Sequence, residues 1–487
     1  MQMINTTDWD ELYYLWFNTK ARVESMQNSY AQYVQLSNEG AQRNGFEDAG
    51  ASWRSEYETE NFQQKVLELY YQILPLYEEI HTYIRRQFRN QYKEHDLRNF
   101  QIPDALVGVM WFKVFKKTKP YPEREIPDPT ENMAKQNYTI LNMAEKADDF
   151  YHNLGLKRVP KKFWKNSVFE KPEDAQFNCG AHQKSFNFYE EDDYRIRMCV
   201  QLTQSDYYEI FHEFGHIQYF MQYADQDAVF QEGANPGFHE AIGDTIALSA
   251  FNYEHSNALS DLEADDAARS EFDLNRLYGQ ALNKLFYIPY LLVADLWRWR
   301  VFDGSYNRNN WNEGWRDLGN QFRGLSLTIP TEYENQPFFY AGKAPFIPNY
   351  ETHYIDFFVS LVAQFQFYKA LCQEVGRDVS QNNLHRCLLN NNQKVGEKLS
   401  DLMKLGSSKH WKEALKSLTG SEDLDATPLL EYFQPLKEWL AEQNRNASDC
   451  YGWDYDWPTD VQANLPLPRC IAASAFKLTA SVSKNKK

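Results

Sequence analysis

The residues best suited to do chemistry lie in the segment FHEFGHIQYF, residues 211–220. This segment contains His212, Glu213 and His216 with the spacing His-Glu-x-x-His. Residues four apart on a helix share one face, so the two imidazoles can bind one Zn²⁺ ion at about 2.0–2.1 Å. Glu213 follows the first histidine and can take a proton from a water on the metal. The spacing indicates a hydrolytic zinc site, although the motif also arises by chance on amphipathic helices, as two surface histidines and a solvated glutamate.

Residues 231–244, which read QEGANPGFHEAIGD, offer a third ligand. The turn residues 235–237 predict a loop before a second helical stretch, from which Glu240 would supply a carboxylate. Two histidines and one glutamate leave a fourth coordination position for water, as in catalytic zinc sites. Asp244 lies one turn after Glu240 and is predicted to accept a proton from a ligand imidazole. His239 lies on a different face of the helix and is predicted not to bind the metal.

Helices must position these segments, because the periodicity of apolar residues is helical along nearly the whole chain. A stripe with a 3.6-residue period runs from Val66 to Phe88, and Pro75 is expected to kink this helix without ending it. Alternating patterns are short, and residues 195–202 form one possible strand. No Gly/Ser-rich linker divides the chain. The sequence therefore predicts a mainly α fold in one large compact domain with minimal β structure.

Charge and hydropathy exclude two classes of partner. The 487-residue chain has a formal net charge of −17, and an acidic surface repels phosphate backbones, so we expect no nucleic-acid partner. We also expect no membrane span, because no apolar run reaches the length of about 18 residues that a crossing helix needs. The closest stretch, residues 354–372, is interrupted by charged and amide side chains.

The cysteines fall into pairs that are close in sequence. An even number at short spacings indicates disulfides that each close a modest loop. Local pairing would give Cys179–Cys199, Cys372–Cys387 and Cys450–Cys470. Six cysteines can pair in many ways, so local pairing is a preference. Metal binding by these residues is disfavoured, because the chain contains no C-x-x-C motif.

Three N-x-[S/T] sequons accompany the cysteines, at Asn5, Asn137 and Asn446. Together they favour the secretory route and a glycosylated, extracellular protein. The first residues, MQMINTTDWDEL, lack the basic and apolar regions of a signal peptide. Either this sequence omits a leader and more, or the protein is not exported; we predict secretion.

At this point the motifs resemble a known family. HEFGHIQYFMQY (212–223) followed by EGANPGFHEAIGD (232–244) is closely similar to the angiotensin-converting enzyme family. Further similar segments extend the resemblance over nearly the whole chain to about residue 445: DAGASWRSEYE (48–58), MW (110–111), EKPEDAQFNC (170–179), YRIRMC (194–199), VSLVAQFQF (359–367) and ALCQ (370–373). The composite around the zinc motif is far more specific than the five-residue motif alone.

The resemblance implies a helical ellipsoid with a deep central cleft. It implies a zinc peptidyl-dipeptidase, which removes C-terminal dipeptides from oligopeptides. By their position in the motifs, His212, His216 and Glu240 match the zinc ligands of the family. Glu213 matches its general base, and Asp244 matches the acid that supports a ligand histidine.

The resemblance also bears on cysteines and domain limits. Cys179–Cys199 and Cys372–Cys387 match family disulfides, whereas Cys450 and Cys470 lie beyond the firm match. We therefore expect a helical peptidase domain over residues 1–445 and a C-terminal extension over residues 446–487, with a disordered tail. Residue 9 onward matches an internal helix of the family, so the preceding lid helices are expected to be missing from this sequence.

Several substrate-facing positions depart from the family. In YIDFF (354–358), Phe357 stands where the family has a tyrosine that stabilises the tetrahedral intermediate. Asp356 replaces the arginine with which family members hold an activating chloride, so chloride activation is not expected. Pro345 and Ile347 stand where the family has a lysine for the substrate carboxylate and a histidine for the substrate backbone.

Other positions keep or regain polar groups. Lys113 replaces a carboxylate-binding glutamine and, with the retained Tyr354, is expected to contact the C-terminal carboxylate of the substrate. His182 fits a second backbone-binding histidine, although two extra residues separate it from the preceding cysteine. It is predicted to be the best remaining donor to the intermediate. Its neighbours Gln183 and Ser185 differ from the small residues usual there.

Two functions remain in competition. The first is a zinc-dependent peptidyl-dipeptidase with reduced turnover, because loss of one oxyanion donor lowers turnover by about 10²–10³. The alternative is a zinc-bearing, largely inactive homologue that binds peptides or a protein partner. The retained Glu213 favours the enzyme, because a site used for binding alone needs no base. A purely structural zinc is disfavoured, because structural sites are usually four-coordinate and closed.

Overall fold

The computed structural model describes residues 6–21, 26–95, 100–107, 118–124, 129–172, 184–261, 265–326, 352–376, 379 and 384–470. Helices dominate this part of the chain. The N-terminal helices are α1 (Trp9–Ala21), α2 (Gln27–Arg43), α3 (Ala49–Ser55), α4 (Phe62–Gln91), α5 (Asp104–Val107), α6 (Pro129–Lys135), α7 (Ile140–Asn153) and α8 (Lys161–Asn166).

The later helices include those that carry the predicted zinc ligands. They are α9 (Gln204–Gln222), α10 (Phe238–Asp261), α11 (Asp266–Lys284), α12 (Ile288–Phe302), α13 (Trp311–Leu318), α14 (Tyr354–Glu374), α15 (Gln393–Met403), α16 (Trp411–Thr419), α17 (Thr427–Tyr432), α18 (Gln434–Asn446) and α19 (Thr459–Gln462). Short 3₁₀ turns occur at Ala228–Phe230 and Leu384–Arg386, and a π turn at Gly319–Arg323.

The β structure in the described residues amounts to two small sheets. The strands are β1 (Ile102–Pro103), β2 (Lys184–Asn187), β3 (Tyr194–Arg197) and β4 (Leu325–Ser326). β1 pairs with β4 in parallel, and β2 pairs with β3 in antiparallel register, with Ser185 opposite Ile196. The strand proposed for residues 195–202 is therefore real but ends at Arg197. The prediction of a mainly α fold with minimal β structure is confirmed.

Helix α4 buries the apolar stripe that its sequence predicts. Its 30 residues continue through Pro75, and the side chains of Val66 and Phe88 at the two ends of the stripe are only 1% and 2% exposed. The helix packs into the main hydrophobic cluster of the molecule. Burial of this face is the main source of stability that such a helix has, because propensity alone stabilises a helix only weakly.

Residues 449–470 pack against α4. Arg85 donates hydrogen bonds to two main-chain carbonyl oxygens of this segment, and Arg469 forms an ion pair with the buried Glu78. Trp453 is fully buried in the same hydrophobic cluster as α4. This part of the expected C-terminal extension therefore shares the core of the helices that precede it.

The described residues contain two disulfides that follow the local pairing, Cys372–Cys387 and Cys450–Cys470. Cys199 is also disulfide-bonded, and its expected partner Cys179 lies outside the described residues.

Asn137 and Asn446, two of the three sequon asparagines, are exposed, and the third, Asn5, lies outside the described part of the chain. Across the residues that are described, none of the helices has both the length and the apolar character needed to cross a membrane.

Helices α9 and α10 cross where two glycines meet. A Cβ atom added to Gly215 would lie 2.5 Å from the Cα atom of Gly243, and one added to Gly243 would lie 2.7 Å from the main-chain oxygen of His212. Side chains do not fit at such separations, so the two backbones approach more closely than other residues would permit. Tyr151 of α7 supports the crossing from behind and donates a 2.8 Å hydrogen bond to the carbonyl of Phe211.

A second close contact sets the start of α10. A Cβ atom on Gly237 would lie 2.8 Å from the main-chain oxygen of Asp356 in α14. The preceding loop is held by Asn235, whose side-chain oxygen accepts from the Gly237 amide at 2.9 Å and whose carbonyl accepts from the Phe238 amide at 2.9 Å. The predicted loop at residues 235–237 therefore places the first turn of α10 between α9 and α14.

We expect Gly215→Ala to destabilise the protein by at least about 1–3 kcal/mol, because an added methyl group overpacks a helix crossing that has no space for it. Thermal unfolding followed by circular dichroism measures the change. Gly279→Ala in α11 is the matched control, because nothing lies within 4 Å of an added Cβ there. This control should leave stability unchanged or raise it by about 0.5–1 kcal/mol. Equal losses in the two variants would contradict the close crossing.

Candidate metal centre

His212, His216 and Glu240 converge where α9 crosses α10. The Nε2 atoms of the two histidines lie 3.1 Å apart. The carboxylate oxygens of Glu240 lie 3.1 Å from Nε2 of His212 and 3.8 Å from Nε2 of His216. Among the described residues, this is the one group of His, Cys, Asp or Glu side chains whose donor atoms lie close enough to hold a metal ion.

The spacing of the three donors fits tetrahedral coordination. With zinc–ligand distances of about 2.0–2.2 Å, donors at the corners of a tetrahedron lie about 3.3–3.6 Å apart. The Nε2 atom of His212 lies 3.1 Å from Nε2 of His216 and 3.1 Å from Oε2 of Glu240, just below that range, and the other carboxylate oxygen, Oε1, lies 3.8 Å from Nε2 of His216, just above it. Two imidazole nitrogens and one carboxylate are also ligands that zinc commonly takes in catalytic sites. The residues present can therefore hold one Zn²⁺ ion and leave a fourth position for water.

The far side of His212 is held by a charged pair. Nδ1 of His212 lies 3.2 Å from Oδ1 of Asp244, and Lys284 donates to the other oxygen of Asp244 at 2.9 Å. Lys284 also donates to the side-chain oxygen of Gln364 at 3.0 Å. A carboxylate on the second ring nitrogen is typical of metal-binding histidines, because it fixes the tautomer and the ring orientation. Lys284 was not identified from the sequence, since it lies on another helix and has no local motif.

The far side of His216 faces a second imidazole. Nδ1 of His216 lies 3.3 Å from Nδ1 of His239, and Nε2 of His239 lies 3.5 Å from the hydroxyl of Tyr223. The ring of His239 also packs on that of Tyr219, with centroids 4.3 Å apart. His239 therefore lies behind His216 and not among the three converging donors. That His239 does not bind the metal stays a prediction.

Opposite charges set the pKa values of these groups. Burial alone would raise the pKa of Glu240, but His216 and His212 outweigh it and lower this pKa to about 2. Burial also opposes ionisation of Asp244, yet Lys284 and His212 hold the pKa of this carboxyl well below its usual range. For His212, burial lowers the pKa, but the two carboxylates outweigh it and raise the pKa well above its ordinary value. The pair of carboxylates thus attracts positive charge to the crossing.

Glu213 is buried beside the three donors, with 4% of its surface exposed. The hydroxyl of Ser185 in β2 donates to Oε2 of Glu213 at 2.6 Å, and the same hydroxyl oxygen lies 3.0 Å from the main-chain oxygen of Glu213. The His-Glu-x-x-His motif predicted the role of Glu213 from the sequence. It gave no role to Ser185, because a serine in a short strand belongs to no recognisable motif.

Asp356 lies in the first turn of α14 and contacts Tyr57. The Tyr57 hydroxyl donates to Oδ1 of Asp356 at 2.5 Å. Burial raises the pKa of Asp356 to about 8, the Tyr57 hydrogen bond acts in the opposite direction, and the nearby carboxylates of Asp295 and Glu56 raise the pKa further. The position that the resemblance matches to an arginine therefore has a carboxyl group here, with the carboxylates of Asp295 and Glu56 nearby.

Tyr354 is buried, with 1% of its surface exposed. The guanidinium of Arg298 lies over its ring, 5.3 Å from the centroid, and the ring of Tyr290 is 5.8 Å away. Arg298 in turn forms a buried ion pair with Asp295. Phe357, three residues after Tyr354, is half-buried and packs against the main core. The role of Tyr354 in binding a substrate carboxylate stays a prediction.

The other predicted substrate contacts lie outside the described residues. These are Lys113 and His182, together with Pro345 and Ile347. The roles assigned to Lys113 and His182 from the sequence therefore stay predictions.

Comparison with known proteins identifies the family. The model of a family described as Peptidase M2, angiotensin-converting enzyme, matches residues 1–453. The chain is 38% identical over 474 residues to the angiotensin-converting enzyme of Mesocricetus auratus, covering 96% of this chain and 35% of that protein. It is 38% identical over 462 residues to that of Mus musculus, covering 93% and 34%. It is 36% identical over 455 residues to that of Theromyzon tessulatum, covering 92% and 72%.

The chain spans about a third of the length of the two mammalian relatives. The match of the family model nevertheless includes every residue of the metal centre and most of the sequence. The chain belongs to the angiotensin-converting enzyme family of peptidases.

Proposed function

We propose that this chain is a zinc-dependent peptidyl-dipeptidase that hydrolyses C-terminal dipeptides from oligopeptides. The convergence of His212, His216 and Glu240, with Glu213 beside them, is the observation that supports this proposal most directly. Membership of the family supports the class of reaction, and the release of dipeptides follows from the resemblance of the motifs.

The side chains divide the chemistry among them. His212, His216 and Glu240 would hold Zn²⁺, which when bound supplies Lewis acidity and lowers the pKa of a coordinated water to about 7. Glu213 takes a proton from the water that attacks the scissile carbonyl. Glu213 then passes this proton to the amine nitrogen of the leaving dipeptide. Asp244 keeps a proton on Nδ1 of His212, so that Nε2 carries no proton and its lone pair is free to bind the metal.

Substrate binding is assigned from the resemblance of the motifs. We assign His182 to a hydrogen bond with the intermediate, and Tyr354 with Lys113 to the C-terminal carboxylate of the substrate. Phe357 has no hydroxyl to stabilise the intermediate, and the loss of one such donor lowers turnover by about 10²–10³. We therefore propose reduced turnover relative to family members that have a tyrosine there.

Phe357 also supports the second candidate function. A homologue that binds zinc but turns over little could capture peptides or a protein partner without releasing products. The position of Glu213 beside the three donors favours the enzyme, because a site used for binding alone needs no general base.

We further propose that the protein is extracellular and glycosylated. The disulfides support this location, because such bonds persist in oxidising compartments, and Asn137 and Asn446 are exposed as glycan acceptors must be. Protein recovered from the medium of secreting eukaryotic cells should migrate faster on a gel after enzymatic removal of N-linked glycans. A protein that enters the secretory route and shows no shift would refute the glycosylation.

Purified protein should contain about one zinc ion per chain and release dipeptides from a blocked tripeptide. Zinc is measured by mass spectrometry and the dipeptide by chromatography. A chelator should abolish release, and added zinc should restore it. Glu213→Gln should keep the zinc but lower kcat by about 10²–10⁴, because the general base is removed.

Glu209→Gln is the matched control for that substitution. Glu209 lies one turn earlier on α9, is half-buried, and forms no hydrogen bond or ion pair with other described residues, although its carboxyl is close enough to His212 and Glu213 to interact with their charges. Its loss should change kcat far less than the loss of Glu213. Zinc bound at full stoichiometry without dipeptide release would overturn the peptidase and favour the binding homologue.

Dipeptide release should not depend on chloride. Asp356 supplies no cation at the position that the resemblance matches to an arginine, and the nearby Arg298 is already paired with Asp295, so the positive charge that would hold an anion is lost. Initial rates in chloride and acetate buffers of equal ionic strength should agree within about twofold, a difference worth less than 1 kcal/mol. A several-fold rise in chloride alone would show that an anion site persists.

A further inference from the structure

The hydroxyl of Ser185 contacts Glu213 at two points. Its oxygen is 2.6 Å from Oε2 of the carboxylate and 3.0 Å from the main-chain oxygen of the same residue. A separation of 2.6 Å is typical of a hydroxyl that donates to an ionised carboxylate, which is among the stronger hydrogen bonds in proteins. Within the described residues, Glu213 has no other side-chain hydrogen bond.

A small sheet fixes the position of this hydroxyl. Ser185 pairs with Ile196 of β3, and Ile196 is 1% exposed. The main chain of Ile196 is held on its other side, because its amide donates to the hydroxyl of Ser167 at 3.0 Å and its carbonyl accepts from the Val168 amide at 2.8 Å. Ser185 is therefore presented from a hydrogen-bonded framework that packs against α9.

The two oxygens of Glu213 are consequently not equivalent. Oε2 is engaged by Ser185, whereas Oε1 has no hydrogen-bond partner in the described part of the chain. We propose that Ser185 is a positioning residue that holds Oε2 of Glu213 and leaves Oε1 to take the proton from the attacking water. This role presupposes the general-base function proposed above for Glu213.

With two acceptors in reach, the hydroxyl of Ser185 can donate a hydrogen bond whether Glu213 is ionised or protonated. While Glu213 is ionised, Ser185 donates its proton to Oε2. After Oε1 has accepted a proton from water, the carboxyl group is a weaker acceptor, and the hydroxyl can donate instead to the main-chain oxygen at 3.0 Å. When Oε1 gives that proton to the leaving amine, the first arrangement is restored. The side chain of Glu213 thus stays in one place through the cycle.

Ser185→Ala should lower kcat by about 10-fold, at the lower end of the effect of removing a supporting hydrogen bond around a metal site. KM and zinc content should not change, because the Ser185 hydroxyl is engaged by Glu213 and has no hydrogen bond to His212, His216 or Glu240. Ser185→Thr keeps a hydroxyl and should recover most of the lost kcat. Lys184→Ala is the matched control, since Lys184 is exposed on the opposite face of the same strand and should leave kcat unchanged.

A double-mutant cycle separates positioning from general packing. Ser185→Ala should lower Tm in the wild-type background but lose most of this effect when combined with Glu213→Ala, because residues in direct contact are not additive. This measurement needs no turnover. If the wild type releases no dipeptide, the proposed function fails while the cycle still tests the contact. Additive Tm shifts, or unchanged kcat in an active Ser185→Ala variant, would overturn the inference.

Discussion

The approach of α9 to α10 at Gly215 and Gly243 is the contact on which the site depends. His212 and His216 lie on α9, Glu240 lies in the first turn of α10, and their donor atoms are separated by 3.1–3.8 Å. Larger residues at the glycines would force the helices apart by more than the tolerance of a coordination sphere, since metal sites require donors within about 0.2 Å of their ideal distances. The absence of two side chains is therefore as important here as the presence of three.

Each catalytic candidate is held from behind by a different element. α10 and α11 hold His212 through Asp244 and Lys284, His239 backs His216, and β2 contacts Glu213 through Ser185. Such outer contacts fix the orientation of ligands and bases, which matters because a misplacement of about 1 Å can lower a rate by about 10². One of the few strands, β2, thus holds the side chain of Glu213 from outside the helices.

The first turn of α14 contacts the loop that starts α10 through backbone atoms. Gly237 packs α10 against the main-chain oxygen of Asp356, so the start of α14 remains in contact with the metal centre through the backbone. The side chains of this turn make their own contacts, since Asp356 accepts a hydrogen bond from Tyr57 and Phe357 packs against the main core. Because this contact is made by backbone atoms, it does not depend on which side chains the first turn of α14 carries.

The sequence by itself determined the helical fold class, the three candidate metal donors and Glu213. The fold class, the two histidines and Glu213 follow from local rules, because a 3.6-residue period and an i, i+4 spacing require only the geometry of a helix. Glu240 came from the second segment, residues 231–244, and from its resemblance to the family. The contacts that Lys284, Ser185 and Tyr57 make with the site were decided by the tertiary structure alone. Their partners lie 40, 28 and 299 residues away in the chain, and no local pattern records which distant segments will meet. That pairing is set by how the helices pack, and above all by how closely two glycines allow α9 and α10 to approach.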